Sequence, residues 1–327
     1  MPTNPFQYIF PGIVAAQAIH AAVEFNIPDL LASGPKSSTE LAAECGAYAP
    51  TLERLLRALT SIDMFQRLPD GRYRNTSLTD VLRADHPQSL KSEALFLPAP
   101  FMWRPLGELA ESIRTGEAAF DRVYGQNLFE YLAGKPEESD AFNRVMAQEI
   151  SWTTPALLRA YDFSRVKRLV DVGGGHGLFL SQILAASPKL EGVLFDQPQV
   201  VAVAEKHLKG EVAARIKIVK GSFFNSVPEG ADAYLLKRIL HDWNDQDAAR
   251  ILGNVRRAIP ANGKLLLLES LVDSPVNPAG LTDLVMLVIG GRERTEADFR
   301  SLLESSGFSL RRIVPVGPHS LLECQPA

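Results

Sequence analysis

From residue 169 onward, short apolar runs alternate with segments of helical spacing, and no other feature narrows the possible folds as much. Residues 169–172 (LVDV), 191–196 (EGVLFD), 216–219 (IKIV), 233–240 (AYLLKRIL) and 264–269 (KLLLLE) have the length and continuous apolar character of strands buried on both faces. Between them, 177–186, 198–208 and 245–258 have helical periodicity. Strands alternating with helices predict an α/β fold around a doubly wound, mostly parallel sheet. Ligands of such sheets bind beyond the carboxyl ends of the strands, where the winding reverses. The residues that follow each strand therefore carry the functional information.

The first strand leads into Asp171-Val172-Gly173-Gly174-Gly175-His176-Gly177. Gly173 and Gly175 let the backbone turn tightly and approach a ligand, with a helix N-terminus ready to meet an anionic group. The pattern is G-x-G-x-G, and Leu178 stands where the dinucleotide fingerprint has its last glycine, which disfavours NAD or FAD without excluding them. The second strand ends in Asp196, nineteen residues beyond Gly177, where a carboxylate can accept both hydroxyls of a ribose; the alternative is a cap on the following helix. After the third strand, Ser222 can bond the edge of a flat base while Phe223 covers its face, or the two form a serine turn beside core phenylalanines.

The fourth strand leads into His241-Asp242-Trp243. Imidazole titrates near neutral pH and so suits proton removal, and this one lies on the rim where reactions occur. Glu269 ends the fifth strand, and Glu293 follows in Gly290-Gly291-Arg292-Glu293-Arg294-Thr295. A carboxylate on one imidazole nitrogen fixes the tautomer and leaves the other nitrogen to take a proton. Glu293 has Arg292 and Arg294 as alternative partners.

Residues 1 to about 160 read as mostly helical. Segments 38–45 and 50–59 carry apolar residues at helical spacing, with Ser38 or Thr39 ahead of Glu40 as a helix start. Residues 64–68, a Pro69-Asp70-Gly71 turn and 72–74 read as a β-hairpin. Helix, turn, helix and hairpin outline a winged helix, which raises DNA binding. Charge opposes that use, because residues 38–83 hold six basic residues (Arg54, Arg57, Arg67, Arg72, Arg74, Arg83) against six acidic ones (Glu40, Glu44, Glu53, Asp63, Asp70, Asp80). A groove-reading domain is basic, so packing or dimerisation is the expected role. Upstream, residues 9–23 are fairly apolar, but no Lys or Arg precedes Lys36, so the basic region of a signal peptide is missing. Gln17, His20 and Glu24 fall on one helical face opposite Ile13, Ala16 and Val23, as in an amphipathic packing helix.

The 327 residues are 46% hydrophobic and 22% charged, an ordinary globular composition that predicts two domains, 1–160 and 161–327. A net charge of −4 argues against a nucleic-acid partner, and no apolar run approaches the roughly 18 residues of a membrane span. Cys45 and Cys324 form no C-x-x-C, so neither a disulfide framework nor a metal site is expected, and a reducing cytoplasm is the expected compartment.

The ordered set VDVGGGHG, LFDQP, GSFF, LLKRILHDW and GGRERTEADF resembles the S-adenosylmethionine-dependent O-methyltransferases of the caffeate, isoflavone and acetylserotonin type, including bacterial enzymes that methylate aromatic polyketides. The resemblance spans nearly the whole chain. It implies a winged-helix-like N-terminal dimerisation domain, a Rossmann-like catalytic domain, a homodimer, S-adenosylmethionine as cofactor, a phenolic or polyketide-type acceptor and a metal-free site. Gly173 then resembles the glycine beside the methionine part of the cofactor, with Gly175 in the same turn. Asp196 matches the ribose ligand, Ser222 and Phe223 the adenine-contacting pair, and Lys237 a lysine near the cofactor. His241 matches the general base, with Glu269 and Glu293 as its orienting carboxylates. Asn143, Met146 and Met286 match positions that line the acceptor pocket, and Arg238 and Asp242 are placed with them. Two departures stand out. The family usually carries Asp at the position of Ser222, and its plant members place an aromatic residue near Arg238, which here either meets an acidic acceptor or faces solvent beside Asp245 or Asp247. Some proteins with this fold and cofactor decarboxylate, hydroxylate or run pericyclic steps, often after losing the His or its acids. That is the alternative reading, and a cofactor-sensing DNA-binding regulator is a third.

Overall fold

The structure, a computed structural model, describes residues 6–274 and 279–327. The chain divides into two compact units, Met1–Gly107 with Phe129–Gln148, and Glu108–Leu128 with Glu149–Ala327. These units do not divide at residue 160: Glu108–Leu128 and the part of the helix Pro136–Ala160 from Glu149 onward belong to the second unit.

The first unit opens with helices Phe6–Glu24, Ile27–Leu30, Ser38–Cys45 and Ala49–Thr60, followed by an antiparallel hairpin of β1 (Phe65–Arg67) and β2 (Tyr73–Asn75). Ser37, one residue ahead of the expected start, caps the third helix. Its Oγ accepts from Glu40 N at 3.2 Å, and the Glu40 carboxylate accepts from Ser37 N at 2.7 Å. Such a reciprocal cap contributes about 1 kcal/mol. Leu41, Leu52, Leu56, Leu59, Phe65 and Tyr73 form the core beneath.

The first helix departs in part from the expected orientation, with Glu24 exposed as expected. Gln17 Nε2 donates to Pro98 O at 2.9 Å and His20 Nδ1 lies 3.0 Å from Ala94 O, so these polar residues point inward. Ile9, Ile13 and Val14 are 57%, 56% and 46% exposed, while Val23 is buried. The reason is local: carbonyls at the end of a short helix, here Lys91–Phe96, need donors that an apolar stripe cannot supply.

The second unit is built on a seven-stranded sheet of β3 (Arg168–Val172), β4 (Glu191–Asp196), β5 (Ile216–Lys220), β6 (Ala233–Lys237), β7 (Lys264–Glu269), β8 (Phe308–Val316) and β9 (His319–Pro326). Its order is β5-β4-β3-β6-β7-β9-β8, with β5 to β7 parallel and β9 antiparallel to both neighbours. Leu265 and Leu267 join the core on one face with Val255 and Phe299. Leu266 and Leu268 join the core on the other with Leu180 and Leu184. Each buried leucine contributes about 1.5–3 kcal/mol, which explains why these strands are apolar throughout. The switch in winding falls between β3 and β6, so the carboxyl ends of those strands define the ligand-binding rim.

The run 233–240 is not one strand. β6 stops at Lys237, Arg238 turns the chain with φ 53°, and Leu240–Asp242 form one 3₁₀ turn. The cause is Glu269 Oε1, which accepts the N–H groups of Ile239 at 3.1 Å and Leu240 at 2.9 Å and takes them out of the ladder. No helix among the described residues is long and apolar enough to cross a membrane.

Candidate active site

The glycine turn after β3 brings two different glycines to the rim. A Cβ on Gly173 would meet Ile239 Cδ1 at 2.5 Å and Phe223 Cε1 at 3.5 Å, so this glycine admits the β6 turn and the aromatic ring. Gly175, at φ 60°, faces space with nothing within 4 Å. Its N–H donates to Asp196 Oδ2 at 2.8 Å, and Gln197 N donates to Oδ1 at 2.6 Å. Each carboxylate oxygen thus keeps a lone pair for a ligand hydroxyl. Asp196 does not cap the next helix, which begins at Pro198 after Gln197 without a side-chain cap. Burial pushes Asp196 above the usual carboxylate range, against the pull of those two backbone donors.

Ser222 Oγ accepts from Phe224 N at 3.3 Å, and the Phe223 carbonyl accepts from Asn254 Nδ2 at 2.6 Å. The Phe223 ring lies in an edge-to-face cluster with Phe224 and Trp243. Open space at Gly175, acceptor capacity on Asp196 and a ring beside Gly173 together fit a ribose and a flat base.

His241 is buried, its side chain 12% exposed. Nδ1 lies 3.4 Å from Glu293 Oε1, an electrostatic contact outside hydrogen-bond geometry, and Nε2 lies 3.3 Å from Asp242 Oδ1. Burial and then Arg238 depress its pKa, but Asp242, Glu293 and Glu269 outweigh them, and the balance is raised. Burial alone would push Glu293 up; the His241 contact and Arg238 bring it down to about 2. Glu269 is fully buried and raised by that burial, and it holds the backbone of the β6 turn rather than the imidazole. Gly291 lets the 290–292 segment cross this turn: Arg292 N donates to His241 O at 2.6 Å.

Arg238 neither faces solvent nor reaches Asp245 or Asp247. Its guanidinium forks onto Glu293, at 3.1 Å to Oε2 and 2.7 Å to Oε1, and lies 3.5 Å from Glu269 Oε2. Glu293 accordingly pairs with neither Arg292 nor Arg294. Arg294 is fully buried and ties the same loop together through Leu240 O at 2.7 Å, Trp243 O at 2.8 Å and Asp245 Oδ1 at 2.9 Å. Ligand atoms of His241, Glu269 and Glu293 lie within 4.8 Å of one another, a spacing a metal could use. The Arg238 cation already sits on both carboxylates.

Lys237 belongs to a second buried set that sequence reasoning missed. Its Nζ lies 3.1 Å from Glu149 Oε2, Glu149 Oε1 lies 2.6 Å from His319 Nε2, and His319 Nδ1 lies 3.0 Å from Ser270 Oγ. Burial would raise Glu149, but His319 and Lys237 hold it well below the usual carboxylate range. Asp171, buried at the end of β3, is pushed up to about 7 by burial. Met286 is buried on the helix Gly280–Ile289. Asn143 and Met146 are half-buried on the helix Pro136–Ala160, in the part that belongs to the first unit.

A doubly wound sheet with a turn that can take a ribose and a flat base, and an imidazole among carboxylates on the neighbouring strand end, has the make-up of a nucleoside-cofactor enzyme. An O-methyltransferase domain model matches residues 106–309 and an O-methyltransferase dimerisation domain model matches residues 7–85. The chain belongs to this O-methyltransferase family, whose methyl donor is S-adenosylmethionine. It is 38% identical to the mitomycin biosynthesis 6-O-methyltransferase of Streptomyces lavendulae over 98% of this chain and 93% of that one. It is 39% identical to the phenazine O-methyltransferase PhzM of Lysobacter antibioticus over 96% and 94%. Among solved structures it resembles the O-methyltransferase NcsB1 from neocarzinostatin biosynthesis, in complex with S-adenosylmethionine and 2-hydroxy-5-methyl naphthoic acid, with a TM-score of 0.84, 31% identity and 96% of each chain covered.

Proposed function

We propose that this O-methyltransferase methylates a phenolic hydroxyl of an aromatic or polyketide-type natural product, with His241 as the general base. The observation that carries this reading is the carboxylate at each imidazole nitrogen: buried, ionised Glu293 lies 3.4 Å from Nδ1 and orients the ring, while Nε2, 3.3 Å from Asp242 Oδ1, is the nitrogen read as taking the proton. An unperturbed phenol titrates at about 10, so little phenolate exists at neutral pH and a positioned base is useful. Asp242, whose Oδ1 lies 3.3 Å from His241 Nε2, is read as an acceptor contact, a role that Met286, Asn143 and Met146 share by resemblance.

S-adenosylmethionine, when bound, supplies the activated methyl group. Gly173 and Gly175 give it backbone to lie against, Asp196 takes the ribose hydroxyls, Ser222 and Phe223 take the adenine edge and face, and Lys237 stands beside it. On this reading residues 161–327 carry the chemistry, and residues 1–160 serve dimerisation and, by resemblance, acceptor lining. The exposed Ile9, Ile13 and Val14 support a homodimer, since an apolar stripe of this kind is stabilised by a second copy. The working compartment is the cytoplasm.

The test is incubation with S-adenosylmethionine and a panel of phenols, naphthoates, flavonoids and quinone-type polyketides, read by mass spectrometry for an added methyl. His241→Ala is expected to lower turnover about 10²–10⁴-fold while calorimetry shows unchanged cofactor affinity. Full turnover by that variant on the best acceptor refutes the base assignment.

A further inference from the structure

Three acidic groups crowd one imidazole: Asp242 from its own turn, Glu269 from the end of β7, and Glu293 from the loop after the helix Gly280–Ile289. Unopposed, they would hold a proton on His241 so firmly that it could not act as a base near neutrality. The opposing charge is Arg238, at the end of β6. Its Nη2 and the His241 Nδ1 both reach Glu293 Oε1, at 2.7 and 3.4 Å, so the two cationic groups lie within about 6 Å of each other, close enough to shift a titration. One step farther out, Lys237 acts on Asp242 and Glu149 acts on Arg238, while Asp283 Oδ1 accepts the Glu293 N–H at 2.8 Å.

The backbone shows how firmly this placement is built in. Among the described residues, Asn26, Asp63 and Arg238 are the non-glycines at positive φ. Asn and Asp visit that region readily; for Arg it is a strained conformation that persists where the surroundings over-determine it. Here they do: Arg238 N donates to Leu268 O at 2.9 Å, and the next two N–H groups are taken by Glu269.

We propose that Arg238 is a positioning residue of the acid–base cluster: its fork fixes the Glu293 carboxylate against His241 Nδ1, and its charge offsets part of the carboxylates' pull, so that the imidazole holds its proton less firmly than the three acids alone would make it. The inference deepens the reading of His241 as base and rests on it. It also gives Arg238 a role other than contact with an acidic acceptor.

The experiment is an NMR titration of the His241 ring in histidine-labelled protein, assigned by its loss in His241→Gln and needing no turnover. Removing a nearby positive charge favours the protonated form, so Arg238→Met is expected to raise the His241 midpoint by about 1–3 pH units. The acid limb of kcat/KM should move upward by the same amount. Arg238→Lys keeps the charge and loses the fork, so its midpoint should stay within about half a unit while kcat falls roughly tenfold. Because Arg238→Met leaves Glu293 buried and unpaired, Glu293→Gln is compared with the double variant Arg238→Met/Glu293→Gln, whose midpoint should lie at least about one unit above the single one. A His241 midpoint that moves in neither comparison overturns the proposal, whatever the turnover. A midpoint that moves as expected in a protein where His241→Gln keeps full activity leaves the tuning standing and removes the base reading beneath it.

Discussion

The closest steric constraint on the site is at a glycine to which no ligand contact is assigned above, and Gly291→Ala exposes it. A Cβ there would sit inside 3.0 Å of the His241 carbonyl oxygen, 2.7 Å from Met286 Cε and 3.2 Å from Asp242 Cα. The Met286 methyl can swing away. The carbonyl cannot, because Arg292 N holds it at 2.6 Å and Glu269 fixes the two preceding amides. Relief therefore requires the 290–292 segment or the His241 turn to move by about 1 Å, a misplacement that can cost on the order of 100-fold in rate. Overpacking of this kind costs about 1–3 kcal/mol in stability, or roughly 2–10 °C in melting temperature for a unit of this size. Gly280→Ala, with nothing within 4 Å of its Cβ, is the matched control and should leave both quantities alone. Thermal melts and steady-state kinetics on the best acceptor decide the matter. A Gly291→Ala protein with wild-type kcat and melting temperature would show that the crossing does not position His241.

Two further outcomes follow from the buried charges and the cofactor rim. Glu149→Gln leaves Lys237, whose side chain is 10% exposed, without its anion, and should destabilise the fold by about 3–5 kcal/mol at pH 7. Glu149 is held below its ordinary value of 4.5, so the stability it contributes is present above that value and lost as pH falls; the gap between natural and variant protein should narrow by about 1.4 kcal/mol at pH 3.5, and an equal gap at both pH values in denaturant titrations refutes it. Ser222→Asp replaces a hydroxyl acceptor with a carboxylate, and charge assistance should tighten S-adenosylmethionine binding about fivefold by calorimetry; equal or weaker binding removes Ser222 from the adenine edge.

What the sequence made legible is local. The glycine turn, Asp196 and His241 each sit within a few residues of a strand whose apolar run announces it, so β4 and β7 and the helix Asp245–Ala258 fall where the pattern places them. The partners of Arg238 and Lys237 were not legible, because they arrive from 55 and 88 residues away and nothing beside them marks the pairing. His319 and Ser270 meet across 49 residues through β9, a strand with polar ends next to a glycine-proline turn and no motif of its own. The first helix was legible only in part: Val23 is buried and Glu24 exposed as its pattern suggests, but Gln17 and His20 turn inward and Ile13 outward. Ala18, Ile19 and Ala22 pack on the apolar core, and the carbonyls of Ala94 and Pro98, which no local pattern announces, draw Gln17 and His20 in beside them.

The distribution of buried charge then says what these long-range pairs are for. Replacing a buried ion pair with packed apolar groups is often neutral or stabilising, so stability alone is a poor reason to keep one. Yet Asp171, Lys237, Arg238, Glu269 and His319 all lie at or next to the rim where β3, β6 and β7 end and β9 begins, and Glu149, His241 and Glu293 close on them from the surrounding turns and helix. At the opposite edge, Arg168 and Glu191 stay exposed, Asp232 satisfies two backbone amides, and Glu323 is the buried carboxylate, held at 2.6 Å by each of the more exposed Lys264 and Arg312. A sheet that gathers most of its desolvated charges at one edge places fixed electrostatics there, and on the reading proposed above that is the edge where a proton is taken and a cationic cofactor held.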